Sequence, residues 1–75
     1  VKVFPNPVTE NIYITHPTEQ HFVVRITDVS GKQMLETAHQ KQQPLSVQTL
    51  TTGTYFITVT TKYSKQTNTY KIIKK

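Results

Sequence analysis

The chain contains three histidines, His16, His21 and His39, and four acidic residues, Glu10, Glu19, Asp28 and Glu36. A zinc or copper site needs three or four ligands that converge on one point. No two of these histidines stand two positions apart on a strand face, and none has a carboxylate at ligand spacing, so no metal site is expected. A nucleophilic serine needs a base beside it and a third group to orient that base. Ser30 and Asp28 share the stretch DVSGK with no histidine, and they read as turn chemistry. The carboxylates form no pair for acid–base work, and neither Gly31 nor Gly53 belongs to a phosphate-binding loop. Cysteine is absent, which excludes disulfides, thiolate metal ligands and a cysteine nucleophile. The chain is therefore not expected to be an enzyme or to hold a cofactor.

Charge is the remaining chemical signal. Nine lysines and arginines against four acids give a net charge of +5 and a pI near 9.7. That balance suits either an acidic partner or a solvated basic surface. A single-strand nucleic-acid binder interleaves exposed aromatics with cations on one sheet face. Tyr13 and Arg25 can share a face, but Phe22, Tyr55 and Tyr70 alternate with aliphatics and read as core. The lysines run from Lys2 to Lys75 without forming a stripe, so no nucleic acid is expected. A carbohydrate-binding or adhesive module would show a flat row of exposed aromatics. Only Tyr13, Phe56 and Tyr63 are available for one, and their spacing is uneven. An immunoglobulin-like surface adhesion or carbohydrate-binding module remains the alternative function.

These residues must be positioned by strands. The 75 residues make one small domain with little room for a deep cleft. Hydropathy alternates with period two almost throughout, and threonine, which suits a solvated pleated surface, is abundant. In VKVF, Val1 and Val3 share one face, and Pro5 and Pro7 then end the strand. Ile12 and Ile14 alternate in NIYITH, and Phe22, Val24 and Ile26 alternate in HFVVRITD. Gly31 turns the chain into a weaker return strand, KQMLETA, to make a hairpin. HQKQQ, residues 39–43, reads as a loop. Leu45 and Val47 alternate next, followed by Tyr55, Ile57 and Val59 in TTGTYFITVTT. The last strand, TNTYKIIKK, has Tyr70 and Ile72 on the core face and Ile73 on the other. About seven short strands separated by turns predict an all-β antiparallel sandwich or barrel. No apolar run approaches the roughly 20 residues of a membrane-spanning helix, so insertion into a membrane is not expected. No signal peptide opens the chain. If the domain is exported, either an upstream segment was removed or the chain is a fragment of a longer protein.

Four motifs occur in order: VFPNP, ITDVSGK, LTTGTYFITV and YKIIKK. Together they resemble the C-terminal sorting domain, type A, of the type IX (Por) secretion system of the Bacteroidetes, and the resemblance spans the whole chain. It implies an immunoglobulin-like sandwich of about seven strands covering residues 1–75, placed at the C-terminal end of a larger secreted protein. The implied function is a non-catalytic address: an outer-membrane translocon recognises the domain and exports the cargo. A sortase-like peptidase then removes the domain and the cargo joins the cell surface. Localisation is thus the periplasm in transit, then the cell surface or the extracellular space. By the resemblance, Pro5, Asn6 and Pro7 match the opening turn, and Asp28, Gly31 and Lys32 the central hairpin. Leu50, Gly53 and Tyr55 match the Leu-x-x-Gly-x-Tyr element. Lys71, Ile72, Ile73, Lys74 and Lys75 match the terminal basic-aliphatic strand and are the residues expected to meet the translocon.

Three expectations follow for that strand. Tyr70 and Ile72 are buried. Lys71, Lys74 and Lys75, with the terminal carboxylate, form an exposed charge pattern. A receptor reads the strand by pairing with its open edge. Open edges also allow the domain, otherwise a monomer, to form an edge-paired or strand-swapped dimer.

Overall fold

A computed structural model describes residues 2–75, which form seven strands and, among the described residues, no helix. The strands are β1 (Lys2–Phe4), β2 (Asn11–Thr15), β3 (His21–Asp28), β4 (Gln33–Gln40), β5 (Leu45–Ser46), β6 (Gly53–Thr61) and β7 (Thr67–Lys74). They build two antiparallel sheets, ordered β1-β2-β5 and β4-β3-β6-β7. Taken as strands A, B, C, C′, E, F and G, this is the order of an immunoglobulin-like sandwich. The shortest dimension of the Cα trace is 16 Å, as expected for two layers about 10 Å apart.

Alternation decides which face each strand buries. Phe22, Val24 and Ile26 of β3 point into the core, as do Ile12 and Ile14 of β2 and Tyr55, Ile57 and Val59 of β6. In the ladder, Val24 faces Val59 and Ile26 faces Ile57. A one-residue slip of β3 would turn its three apolar residues to water, at about 1.5–3 kcal/mol each, so burial sets the register. Val8, Leu45, Val47, Leu50 and Ile72 complete the core.

Several expectations are corrected. The expected shared face of Val1 and Val3 falls on Val1, which lies outside the described residues. His39 and Gln40 are not loop: they finish β4, paired with Phe22 and His21. The turn is confined to the residues after them, where Gln42 takes a φ of 63°. β5 is only two residues long, although Val47 beyond it is fully buried and its amide donates to the Glu10 carbonyl at 2.8 Å. Tyr70 is half-buried against the core, not within it. Tyr13 and Arg25 lie on opposite outer faces of the sandwich, because β2 and β3 belong to different sheets.

The two ends of the sandwich are held differently. At the β6–β7 turn the buried Thr61 hydroxyl accepts from the Gln66 amide at 2.8 Å and shares a 2.6 Å hydrogen bond with the Ser64 hydroxyl. Glu19 reaches this turn from the β2–β3 loop, its Oε1 accepting from the Ser64 amide at 2.7 Å. His16 orders that loop, with Nδ1 accepting from the amides of Thr18 and Glu19 at 3.1 and 3.0 Å. The other end carries the motifs.

Candidate functional site

The DVSGK turn is organised by Asp28. Its Oδ1 accepts from the Ser30 hydroxyl at 2.6 Å, the Ser30 amide at 2.9 Å and the Lys32 amide at 3.0 Å. Three donors on one carboxylate oxygen favour the ionised form. The Ser30 hydroxyl is the main cause that holds Asp28 below its ordinary value; partial desolvation opposes it, and the amides and the Lys32 charge assist. Gly31 takes a φ of +91° and donates its amide to the Asp28 carbonyl at 3.0 Å. Ser30 and Asp28 are therefore spent on the turn, as the spacing suggested.

The Leu-x-x-Gly-x-Tyr element is a corner built on strand F. Tyr55 sits near the start of β6, 4% exposed, and its hydroxyl donates to the Thr51 carbonyl at 2.8 Å. This is the tyrosine corner of immunoglobulin-type sandwiches, which fastens the E–F connection to the strand that follows. Gly53 adopts a φ of +155°, a conformation that side-chain-bearing residues rarely take, and Leu50 is buried beneath the corner. The three residues act together, with Leu50 anchoring the loop, Gly53 turning it and Tyr55 closing it.

The Pro-Asn-Pro segment is attached to the last strand. Its two prolines, which both follow cis peptide bonds, have no amide hydrogen to offer a neighbouring strand. The Asn6 side chain supplies both partners instead. Its Nδ2 donates to the Lys71 carbonyl at 3.1 Å, and its Oδ1 accepts from the Ile73 amide at 3.0 Å. Val8 continues the pairing in parallel with Lys74: the Val8 amide donates to the Ile73 carbonyl at 2.8 Å, and the Lys75 amide donates to the Val8 carbonyl at 2.9 Å. The outer edge of β7 is thus closed from the Lys71 carbonyl to the Lys75 amide. An incoming strand meets no open edge there, contrary to the expected mode of recognition.

The five terminal residues divide into two sets. Ile72 and Lys74 face inward, 1% and 8% exposed, whereas Ile73 is 42% exposed and Lys71 and Lys75 lie on the surface. The expectation that Lys74 belongs to an exposed charge pattern is corrected. Strand alternation puts it on the core side, with its ammonium donating to the main-chain oxygen of Lys75 at 2.9 Å. Period two was visible in the sequence, and continuing it from Ile72 would have placed Lys74 inside.

Register gathers the four motifs at one end of the sandwich. Asp28 pairs with Tyr55, and Tyr55 with Ile72. Gly53 pairs with Lys74, and Asn6 bonds across to Ile73. Val8 seals the edge, and no local pattern in the sequence marks it beyond its place after Pro7. The aromatics considered for a glycan row are not brought together. Tyr13 stacks on Phe4 (5.9 Å between centroids) on the three-stranded sheet, Phe56 lies on the four-stranded sheet, and Tyr63 follows β6. Among the described residues no group of three or more His, Cys, Asp or Glu is placed to hold a metal ion, and no helix is long and apolar enough to cross a membrane.

The family model described as the secretion system C-terminal sorting domain matches residues 2–75. No curated protein and no solved structure matches the chain.

Proposed function

The chain belongs to the family of C-terminal sorting domains of the type IX secretion system, and from that premise we propose that it is the address by which a larger secreted protein is read at the outer membrane. The family is one of sorting signals, not a known catalytic family, and its signal directs export to the cell surface or the extracellular space. In our reading the domain forms residues 1–75 at the C-terminal side of its cargo and folds in the periplasm. The translocon then engages it through the exposed side chains of Lys71, Ile73 and Lys75. Ile72 and Lys74 hold the strand in place for that contact. A sortase-like peptidase cuts upstream of the domain, and the cargo is joined to the cell surface.

The observation that carries this reading is the gathering of all four motifs at the end of the sandwich where β7 finishes. A strand fixed by Asn6, Val8 and the Tyr55 row presents its outward side chains in a set geometry, which a receptor needs in order to discriminate. Each exposed lysine contributes only about 0.2–1 kcal/mol to such a contact, so the apolar Ile73 between them has to share the work. The test is export of a periplasmic reporter fused through a linker to residues 1–75, in a host that possesses the system. Reporter at the surface or in the medium is the expected result, and reporter retained in the periplasm refutes the proposal.

A further inference from the structure

Among the described residues, seven large hydrophobic side chains are exposed, and four of them occupy one corner. Phe56 (36% exposed) and Ile73 (42%) face outward on β6 and β7. Phe56 pairs with Lys71, and Ile73 follows two residues later on the same face, so the two form a diagonal neighbour pair. Met34 (41% exposed) sits at the β-bulge opposite Thr27, which in turn pairs with Phe56. Val29, 71% exposed, lies in the adjoining turn. The opposite end of the same outer face is mostly polar, with Val23 (43% exposed) set among hydrogen-bonded neighbours. There Thr58 bonds Thr69 at 3.1 Å, Thr60 bonds Thr67 at 3.2 Å, and Arg25 pairs with Glu36 at 2.9 Å. Val23 and Tyr63 are exposed toward that other end, but more of the exposed apolar side chains stand at the motif end, and such a group marks a contact site.

Charge narrows the occupant. Lys71 and Lys75 border the patch without a carboxylate partner among the described residues, while the nearby acids are engaged, Glu36 with Arg25 and Asp28 with its turn. A second copy of the chain would set one domain of net charge +5 against another, with no free carboxylate at the patch to meet Lys71 and Lys75. An anionic lipid surface would find only two bordering cations, fewer than the clusters of about four to eight that hold a segment at such a surface.

The geometry points to a docking surface formed by Met34, Phe56 and Ile73 with Lys71 and Lys75, whose occupant is a protein presenting an apolar centre bordered by carboxylates. This inference rests on the sorting-signal reading and extends it. The export machinery reads a face that spans β4, β6 and β7, not the terminal strand alone. The closed edge of β7 leaves that face as the accessible side of the strand at Lys71–Lys75.

The experiment compares reporter fusions of the parent chain, Phe56→Thr/Ile73→Thr, and the control Thr60→Ala/Thr67→Ala at the mostly polar end. Circular dichroism and thermal unfolding of each purified chain establish that it is folded. Threonine keeps β-propensity at both exposed sites, and Phe56→Tyr provides a second, milder variant that retains the ring. Export at least tenfold lower for the threonine pair, with parent, control and Phe56→Tyr close to one another, is the expected result. A photo-crosslinking benzoylphenylalanine placed at Phe56, but not at Thr60, should give a discrete protein adduct during export. Export of the folded threonine pair within twofold of the parent overturns the docking surface and leaves the sorting reading standing. Retention of the parent fusion itself overturns the sorting reading, and the docking surface with it. Co-sedimentation of the parent chain with phosphatidylglycerol vesicles that is lost in the threonine pair overturns the protein occupant in favour of a lipid surface.

Discussion

Ile73 and Asn6 are 67 positions apart in the chain and are joined by a 3.0 Å hydrogen bond from the Ile73 amide to the Asn6 side-chain oxygen. The first residues of the fold therefore hold the strand that completes it. Pro5 and Pro7 make this necessary, since neither can donate a backbone hydrogen bond to β7. An asparagine side chain carries one amide donor and one carbonyl acceptor, the same pair a strand residue would offer. It extends the ladder where the backbone cannot. This also blunts an edge that would otherwise invite another chain to pair.

Asn6→Ala removes both bonds and should lower the unfolding free energy by about 1–2 kcal/mol, from a net of roughly 0.5–1.5 kcal/mol per bond reduced by solvent exposure. Urea denaturation measures the loss. Hydrogen exchange of the Ile73 amide should accelerate while that of Ile72, bonded on the β6 side, changes little. An unchanged midpoint together with an unchanged Ile73 exchange rate would show that the side-chain pairing contributes nothing.

Asp28 makes the stability of the central turn depend on pH. Its carboxyl is held below its ordinary value of 3.8, chiefly by the Ser30 hydroxyl. A depressed native pKa means that the unfolded chain takes up a proton first. The contribution is complete above the unfolded value and is lost as pH falls through the lower folded value. Parent and Asp28→Asn should differ by a constant amount from about pH 5 to about pH 7, with the parent more stable, and the gap should narrow below about pH 4. A gap that stays constant on acidification would rule out the ionised Asp28 as its source.

The fold was largely legible because period-two alternation is a local property. Phe22, Val24 and Ile26 point inward for the same reason that they read as one face, and the Gly31 turn lies where DVSGK placed it. What was not legible depends on contacts between distant segments. Asn6 marked a turn in the sequence, and nothing local indicates that its amide meets Lys71 and Ile73. Tyr70 shares parity with Ile72 and so reads as core, but it sits farther back along β7 and is only half covered. Lys74 shows the opposite error. Its charge argued for solvent, yet parity and the Val8 bridge place it inside, where a long aliphatic stem can pack while the ammonium finds a main-chain oxygen.

Tyr55→Phe tests the corner. The ring stays in the core and only the hydroxyl that donates to the Thr51 carbonyl is lost. The expected cost is about 1–3 kcal/mol, since a partly buried carbonyl loses its partner. For a domain of this size that lowers the melting temperature by about 4–8 °C per kcal/mol. The urea m-value should not change, because the surface exposed on unfolding is nearly the same. Equal melting temperatures for the two proteins would mean that the corner bond is replaced by water without loss.

Lys74 and Lys71 separate support of the last strand from its recognition. Deleting residues 72–75 cannot do so, because it removes Ile72 from the core and the partner of Val8 at the same time. Lys74→Met can, since methionine has similar length, fills the place of the aliphatic stem and leaves no buried charge to solvate. Its stability should equal or slightly exceed that of the parent, and reporter export should be unchanged. Lys71→Glu/Lys75→Glu alters exposed side chains only, so its stability should stay within about 0.5 kcal/mol of the parent per site. Export should nevertheless fall severalfold, because two attractive contacts become repulsive. Thermal unfolding read beside export decides the matter. A Lys74→Met protein that is folded but not exported would return Lys74 to the recognised set. An exported double glutamate variant would remove Lys71 and Lys75 from it.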